Sequence, residues 1–242
     1  MKRMAGLLES APGETLIEIG PGHGELTRFI LEAAPGDSRL IAVEKDPKLA
    51  QELRDRLPDP RLTIIEGDAR RLLPTIFMDH SASAMKLAGN IPYYLSGYLF
   101  RLLGESPVKP ILSVLTVQKE VAERLAARPP KMNRLAGSVQ FWSVPKIITI
   151  IKSAEFNPPP GVDSAVVLLA TKSGVGDGAR YFKTLRRLFA QPRKTLLNNL
   201  SAGFGAPAKT ALAERLSTAG FDPSSRPQNL AIEDIEKISS FF

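Results

Sequence analysis

The first two-thirds of this 242-residue sequence alternates short apolar runs with amphipathic stretches. Strand-length apolar runs separated by helix-length stretches are typical of β-α units, which assemble into a parallel sheet. The predicted strands are Thr15–Ile19, Arg39–Glu44, Leu62–Glu66, Met85–Ala88 and Ile111–Val117. The predicted helices between them include Glu25–Ala33, Pro47–Arg56 and Ser96–Leu103. The sequence therefore predicts an α/β fold, Rossmann-like in its order of strands and helices.

The rest of the chain predicts two further strands and then a group of helices. Two apolar runs, Ile147–Lys152 and Ala165–Thr171, predict an antiparallel pair that ends a mostly parallel seven-stranded sheet. Ser173–Gly178 is rich in glycine and is the best candidate for a domain boundary. The predicted helices beyond it are Tyr181–Phe189, Lys194–Leu200, Lys209–Thr218 and Ile232–Ser239. We therefore expect a first domain at residues 1–173 and a small helical domain at residues 179–242.

Composition excludes several classes of protein. A hydrophobic content of 43% is that of a packed globular chain, and no apolar run is long enough to span a bilayer. The first fourteen residues have no apolar core typical of a secretion signal. The absence of cysteine excludes disulfides, thiolate nucleophiles and cysteine-ligated zinc, and neither histidine has a carboxylate at metal-ligand spacing. We expect a cytoplasmic monomer without a metal.

The charge balance favours a polyanionic partner. Thirty-two basic against 25 acidic residues give a net charge of +7 and a pI near 9.7. The basic residues crowd into two clusters, Arg124, Arg128, Lys131 and Arg134, and then Arg186, Arg187, Arg193 and Lys194. A solvated helix face explains either cluster alone equally well. RNA binding becomes the better interpretation only if another feature indicates nucleic-acid chemistry.

A glycine-rich loop follows the first predicted strand. Gly20, Gly22 and Gly24 are spaced one residue more tightly than in the dinucleotide fingerprint G-x-G-x-x-G, which disfavours an NAD enzyme. Glycines let a ligand approach the backbone, and the helix start that follows offers free N–H donors. Glu18 precedes the loop and supplies a carboxylate for an ammonium group or a bound water. These features suit S-adenosylmethionine, which carries no phosphate.

Two acidic residues stand at the ends of the next predicted strands. Glu44, with Lys45 beside it, is placed to bond the two hydroxyls of a ribose. Asp68 can accept from an adenine amino group, and Ala69 adds backbone polarity. Acidic residues also serve as simple strand-end caps, so the glycine loop upstream is what favours the cofactor interpretation.

The segment Asn90-Ile91-Pro92-Tyr93 follows the fourth predicted strand. The Asn90 side-chain oxygen and the Ile91 carbonyl are placed to accept the two N–H groups of an exocyclic amine, so that its lone pair can attack a sulfonium methyl. Pro92 fixes the turn, and Tyr93 can stack on the base. Asn90 is also a candidate cofactor-binding residue, together with the glycine loop and the two strand-end acids. An ordinary turn with a buried aromatic is the alternative interpretation of this segment taken alone.

Several ordered segments resemble the KsgA-type family of small-subunit rRNA adenine N6,N6-dimethyltransferases. They are Glu18–Gly24, Asn90–Tyr93, Gln118–Leu125, Phe156–Ala165 and, in the C-terminal part, Arg193–Leu196 with Arg226–Leu230. The resemblance implies that Phe156 stacks on the target adenine opposite Tyr93, and that the C-terminal domain binds RNA. It also implies a basic segment ending in a glycine-glutamine-aromatic-leucine pattern, which has no counterpart in the printed residues before Thr15.

Three functions follow from this resemblance. The first is S-adenosylmethionine-dependent dimethylation of two adjacent adenosines in a small-subunit rRNA hairpin, with the immature 30S particle as partner. The second is an RNA-binding assembly factor with weak or no methylation. The third is an Erm-type large-subunit rRNA methyltransferase, which shares the catalytic motifs; Pro158, Pro159 and Pro160 and the Arg226 block favour the KsgA type.

Overall fold

A seven-stranded sheet is the frame of the first two-thirds of the chain. The structure is a computed structural model that describes residues 1–156, 158–175, 178–203 and 205–241. The strands are β1 Thr15–Ile19, β2 Arg39–Glu44, β3 Leu62–Glu66, β4 Met85–Asn90, β5 Leu112–Gln118, β6 Ser143–Ile151 and β7 Ser164–Thr171. Their order is β3-β2-β1-β4-β5-β7-β6, with β1 to β5 parallel and β7 antiparallel to both of its neighbours. The predicted α/β fold is confirmed.

Helices connect the parallel strands and form most of the C-terminal part. They are α1 Lys2–Leu7, α2 Glu25–Ala33, α3 Pro47–Arg56, α4 Ala69–Asp79, α5 Tyr93–Glu105, α6 Lys119–Leu125, α7 Arg134–Trp142, α8 Ala179–Leu188, α9 Leu196–Leu200, α10 Ala206–Thr218 and α11 Ile232–Ser239. The α3 start follows the expected pattern, since Pro47 is its first residue and the Asp46 carboxylate accepts from the N–H of Lys48 at 2.8 Å.

Some element boundaries differ from the predicted ones. Helix α5 begins three residues earlier, at Tyr93, and β6 begins four residues earlier, at Ser143. In both places the element starts near a proline or among mixed polar and apolar residues, which weakens the hydrophobic pattern used for the prediction. The observed first residue is set by backbone hydrogen bonds. The proposed boundary segment and the proline-rich loop each include residues outside the described ranges, namely Gly176 with Asp177 and Asn157.

The strand order creates a crevice at one edge of the sheet. The chain moves outward from β1 through β2 to β3, then returns to the other side of β1 with β4. At such a reversal the connections on either side leave opposite faces, so a crevice opens beyond the carboxyl ends of the strands. The glycine loop and the residues Glu44, Asp68 and Asn90 all stand at those carboxyl ends. The topology therefore brings the predicted cofactor and catalytic residues to one edge.

The N-terminal helix α1 belongs to the core. Met4, Ala5 and Leu8 are buried with residues of β1, α2, β4 and β5. The Thr116 hydroxyl on β5 donates to Met4 Sδ at 3.2 Å. Six residues are too few to show a helical period, so the sequence did not reveal this element. Its packing nonetheless places α1 beside the ends of the central strands.

The chain divides into two compact units that are not simply consecutive. The first is Met1–Glu123 with Ser143–Ser173, and the second is Arg124–Trp142 with Gly174–Phe242. Helix α7 lies in the second unit, whereas the domains proposed from the sequence, residues 1–173 and 179–242, assign it to the first domain. The reason is packing: the Phe141 ring stacks on Tyr181 with centroids 4.1 Å apart, and the Tyr181 hydroxyl donates to the Gly137 carbonyl at 2.8 Å.

Candidate active site

The glycine loop has a backbone that only glycine adopts easily. Gly20, Gly22 and Gly24 have φ values of +64°, +55° and +82°, in the left-handed region. At Gly24 a Cβ would also lie 2.4 Å from Leu53 Cδ1. Helix α2 begins at the next residue, so the loop and the helix start form one continuous turn at the end of β1. The tight spacing of the three glycines therefore follows from the geometry of this turn.

Glu44 ties the glycine loop to the end of β2. Its side chain is buried, and its Oε2 accepts from the N–H of Gly22 at 3.0 Å. Its Oε1 accepts from the N–H of Asp46 at 2.9 Å. Each carboxylate oxygen has a second lone pair, so Glu44 holds the loop and still has capacity to accept from ligand hydroxyls.

Glu18 is a buried acid at the end of β1. Its side chain is 1% exposed. The pKa of Glu18 is raised to about 7, chiefly because burial disfavours the charged form; within that balance the neighbouring Thr27 hydroxyl lowers the pKa and the Glu44 carboxylate raises it. Within the part of the chain that the structure describes, Glu18 Oε2 and Thr27 Oγ1 have no hydrogen-bond partner, so the hydroxyl acts as a nearby dipole rather than a bonded donor. A buried acid with an unpartnered oxygen favours a cationic or N–H-bearing ligand.

Asp68 is already engaged by its own helix. Its carboxylate caps α4 by accepting from the N–H of Arg70 at 2.9 Å, and Arg70 Nη2 approaches Oδ2 to 2.5 Å. The hydrogen bonds from Arg70 hold the pKa of Asp68 well below its usual range. Ala69 is buried and is the first residue of that helix. Lys45 Nζ lies 5.9 Å from the centre of the Tyr94 ring. An adenine amino group at Asp68 would have to share this carboxylate with Arg70.

Asn90 is the last residue of β4 and is exposed. The pairing of β4 with β1 ends one residue earlier, at Gly89, so Asn90 projects beyond the central pair. The N–H of the buried Ile91 donates to the Thr116 carbonyl at 3.0 Å. Pro92, with φ of −52°, then starts α5, and Tyr93 is the first residue of that helix. The turn is therefore held on both sides by regular elements.

A cavity of about 560 Å³ brings Asn90 together with Phe156. Phe156 is half-buried and ends the 3₁₀ turn Ser153–Glu155. Most of the remaining lining comes from α1, α2 and the strands β5, β6 and β7, and includes Arg3, Met4 and Thr116. Tyr93 is 37% exposed, and its hydroxyl lies 3.2 Å from Ser164 Oγ. The sequence predicted Asn90 and Phe156, but not the contribution of α1.

The predicted RNA-binding residues fall into the second unit. They are Arg124, Arg128, Lys131, Arg134, Arg186, Arg187, Arg193 and Lys194. All are exposed except Arg187, which is half-buried. Two clusters about 50 residues apart in the sequence thus belong to one compact unit. In the described ranges no three His, Asp or Glu side chains are grouped to hold a metal ion, and no helix is long and apolar enough to cross a membrane.

Comparison with known proteins identifies the family. Residues 1–242 match the family described as "Ribosomal RNA adenine dimethylase". The chain belongs to this family. A relative from Dehalococcoides mccartyi, named "Ribosomal RNA small subunit methyltransferase A", is 37% identical over 229 residues, which are 92% of this chain and 77% of the relative.

Solved structures agree with the fold of an rRNA adenine dimethylase. A dimethyladenosine transferase from Plasmodium falciparum has a TM-score of 0.78 at 24% identity, covering 98% of this chain and 92% of the other. The 23S rRNA methyltransferase ErmE has a TM-score of 0.74 at 20% identity, covering 99% of this chain and 95% of the other. The fold is that of S-adenosylmethionine-dependent methyltransferases.

The site residues fit the cofactor of the rRNA adenine dimethylase family, S-adenosylmethionine. The glycine turn leaves backbone open to a ligand, and Gly22 and Gly24 could not carry side chains without strain or collision. The buried, unpartnered Glu18 oxygen suits the amino group or a bound water. Sequence patterns indicated which residues stand at the strand ends. They gave no signal for Thr116 or α1, whose place in the site depends on packing.

Proposed function

We propose that this rRNA adenine dimethylase methylates N6 of two adjacent adenosines in a hairpin of small-subunit rRNA. The observation that carries this proposal is the Asn90 turn, which stands one residue beyond the central strand pair and lines the same cavity as Phe156. The names of relatives 33–37% identical to this chain support the small subunit over the large one. We further propose an immature 30S particle as substrate, a monomeric enzyme and a cytoplasmic location.

The cofactor would be held at the ends of β1 to β3. Glu18 and the turn at Gly20 to Gly24 would receive the amino-acid part, Glu44 the ribose hydroxyls, and Asp68 with Ala69 the adenine. Lys45 would flank the ribose site. When bound, S-adenosylmethionine supplies an electrophilic methyl group on a sulfonium. The protein's part is to orient the target amine toward that methyl group and to exclude water from the reacting atoms.

The lone pair of an adenine N6 amine is delocalised into the ring, so the amine is a poor nucleophile. The Asn90 side-chain oxygen and the Ile91 carbonyl accept its two N–H groups and favour a tetrahedral nitrogen whose lone pair leaves the ring plane. Tyr93 and Phe156 hold the plane of the base between two rings. The nitrogen gains a methyl group and loses one proton to solvent, so no side chain acts as a strong base. The second transfer uses the one N–H that remains.

The distribution of charge supports RNA binding by the second unit. That unit has fourteen basic and six acidic residues, whereas the first has 18 basic and 19 acidic. The formal charges are thus +8 and −1, so the excess positive charge of the protein resides in the second unit alone. A phosphate backbone is the polyanion that an rRNA methyltransferase must hold, and lysine and arginine contacts dominate such binding.

The test is transfer of tritiated methyl groups from S-adenosylmethionine to unmethylated 30S particles. We expect dimethyladenosine at two adjacent positions with the native enzyme and a loss of at least about 100-fold in rate with Asn90→Ala. Cofactor affinity and particle binding should change much less in this variant, because Asn90 acts on the amine. The product is identified by nuclease digestion and chromatography of the nucleosides.

Two results would contradict the proposal. Binding of the native protein to the particle without methyl incorporation would favour an assembly factor. Incorporation into 50S but not 30S particles would favour the large-subunit reaction.

A further inference from the structure

We propose that Asp163 and Ser164, consecutive residues where β7 begins, position the two rings that hold the target base. Ser164 contacts Tyr93 directly, and Asp163 holds the turn that carries Phe156. These are positioning residues, because they act through the aromatic rings and not on the reacting atoms. The inference rests on the proposed function, which gives the two rings their task.

Ser164 holds Tyr93 by a contact between their hydroxyl groups. It is 1% exposed and pairs within the sheet with Gln118 of β5 and Ile151 of β6. Its Oγ lies 3.2 Å from the Tyr93 hydroxyl. Tyr93 is at the first turn of α5 and is 37% exposed, so packing alone leaves its ring free to adopt other rotamers. The hydroxyl contact selects one ring position relative to the rigid strand.

Asp163 fixes the Phe156 turn at its base. Its Oδ1 accepts from the N–H of Ser153 at 3.1 Å, and its Oδ2 pairs with Lys152 Nζ at 3.0 Å. The Ser153 carbonyl in turn accepts from the N–H of Phe156 at 3.1 Å. The Asp163 carboxylate therefore controls the turn that ends in the aromatic residue. The hydrogen bond from Lys152 lowers the pKa of Asp163, so the carboxylate is ionised at neutral pH.

The backbone of Asp163 is also bonded to the start of helix α6. The N–H of Lys119, the first residue of α6, donates to the Asp163 carbonyl at 2.9 Å. The start of β7 at Asp163 and Ser164 is thus held by hydrogen bonds to the neighbouring elements. Both rings take their positions from one fixed point, and their separation is set by the protein before RNA binds. Because a misplacement of about 1 Å can cost about 100-fold in rate, we expect Asp163 and Ser164 to affect the rate through the position of the two rings.

The experiment compares single-turnover methyl transfer to 30S particles at saturating cofactor. The variants are Asp163→Ala, Asp163→Asn, Ser164→Ala, Tyr93→Phe and the double variant Ser164→Ala with Tyr93→Phe. Asp59→Ala is the control, since the Asp59 carboxylate also accepts from a backbone N–H, that of Arg61 at 2.9 Å, and pairs with a basic side chain, but lies before β3, away from the carboxyl ends of the strands. Circular dichroism and cofactor titration confirm that each variant is folded.

We expect Asp163→Ala to slow transfer about 10- to 100-fold with cofactor affinity within about twofold of native. Asp163→Asn keeps an acceptor for the Ser153 N–H and should restore part of the rate. Ser164→Ala and Tyr93→Phe should each slow transfer about two- to tenfold, because each removes the same hydrogen bond. The double variant should then be no slower than the slower single variant.

A second readout is independent of methyl transfer. An RNA hairpin with 2-aminopurine at the target position loses fluorescence when the base stacks on the aromatic rings, and the Asp163 and Ser164 variants should weaken this quenching. If the native enzyme methylates and the variants match it in rate and quenching, the positioning role is wrong and the function stands. If the native protein transfers no methyl group, the function is wrong, and quenching alone decides whether the two residues align the rings.

Discussion

Glu18 and Glu44 are neighbouring carboxylates with different tasks. Both are buried at the end of the central strands, but Glu44 accepts two backbone N–H groups and Glu18 has an oxygen with no partner among the described residues. Hydrogen bonds satisfy an ionised carboxylate, whereas burial without them favours the neutral acid. The site therefore has one carboxylate that organises the loop and one that changes its charge near neutral pH.

The raised pKa of Glu18 makes stability depend on pH. Below about pH 4.5, the ordinary pKa of a glutamate, the group is protonated in both folded and unfolded chains. Between there and about 7 the folded chain keeps the proton that the unfolded chain loses, so the stability present at low pH is lost as the pH rises. We expect the free energy of unfolding of the native protein to fall by at most about 3 kcal/mol relative to Glu18→Gln across this window. Urea unfolding of both proteins at pH 5 and pH 8 measures this difference. The same change in free energy of unfolding for both proteins between the two pH values would contradict the raised pKa of Glu18.

The same acid should couple cofactor binding to proton release. Ionised Glu18 interacts better with a cationic ligand than neutral Glu18, so binding should strengthen as the pH rises from 6 to 8 and should release protons. Titration calorimetry in buffers of different ionisation enthalpy measures that release. Glu18→Gln should bind more weakly at pH 8 and release none through this residue. A pH-independent affinity in the native protein would remove Glu18 from the cofactor site.

At the residue scale, the sequence predicts where a site residue stands in the sheet better than it predicts which side chains that residue contacts. Glu44, Asp68 and Asn90 stand at or just after the ends of recognisable strands, and this is enough to bring them to one edge of the sheet. The capture of Asp68 by Arg70 depends on side-chain geometry within a turn and has no pattern that could reveal it. The sequence likewise identified Phe156 through a resemblance but gave no reason for its orientation, which depends on Asp163 seven residues later.

At the element scale, β4 leads into the turn that we propose is catalytic, and its backbone leaves no room for a side chain at Gly89. A Cβ there would lie 2.7 Å from the Ile19 carbonyl oxygen, which is backbone and cannot yield without moving β1. We expect Gly89→Ala to destabilise the protein by about 1–3 kcal/mol and to lower methyl transfer, because Asn90 is the next residue. Thermal unfolding and single-turnover rates measure the two effects.

Gly97 offers the matched control in the next element. It lies inside α5, where a Cβ would meet nothing within 4 Å. Gly97→Ala should therefore stabilise the protein by about 0.5–1 kcal/mol and leave the rate unchanged. Equal effects of the two substitutions would show that the close approach at Gly89 does not constrain β4.

The basic segment that precedes α7 is held by two amide side chains. Gln140 Nε2 donates to the carbonyls of Leu125 and Ala127, each at 2.8 Å, and Asn133 Nδ2 donates to the Arg124 carbonyl at 3.0 Å. Gln140→Ala leaves these two carbonyls without that donor and should loosen the segment. We expect RNA affinity to fall about three- to tenfold with cofactor affinity unchanged.

Gln51→Ala is the control for this prediction. Gln51 also donates from its amide, at 3.0 Å to Asp55, but on an exposed face of α3 in the first unit. If the two variants bind RNA equally well, the segment does not depend on Gln140 for its RNA-binding conformation.

At the scale of the whole molecule, charge is divided between the units. Replacing Arg193 and Lys194 with glutamate should remove about two phosphate contacts, which reduces the slope of log affinity against log salt by about 1.5. Arg39→Glu with Lys48→Glu makes the same charge change on exposed residues of the first unit and should change the slope much less. Filter binding of an rRNA hairpin from 50 to 300 mM salt measures both. Equal slopes would place RNA binding outside the second unit.

The interrupted second unit has a consequence for synthesis of the protein. Helix α7 leaves the ribosome well before α8, the helix it packs against, because β6 and β7 are made in between. At about 5–20 residues per second the wait lasts a few seconds. During that time the apolar face of α7, including Phe141, lacks the α8 rings that it contacts and is open to chaperones. The second unit, which we propose binds RNA, is thus completed only after β6, β7 and the helices that follow them have been translated.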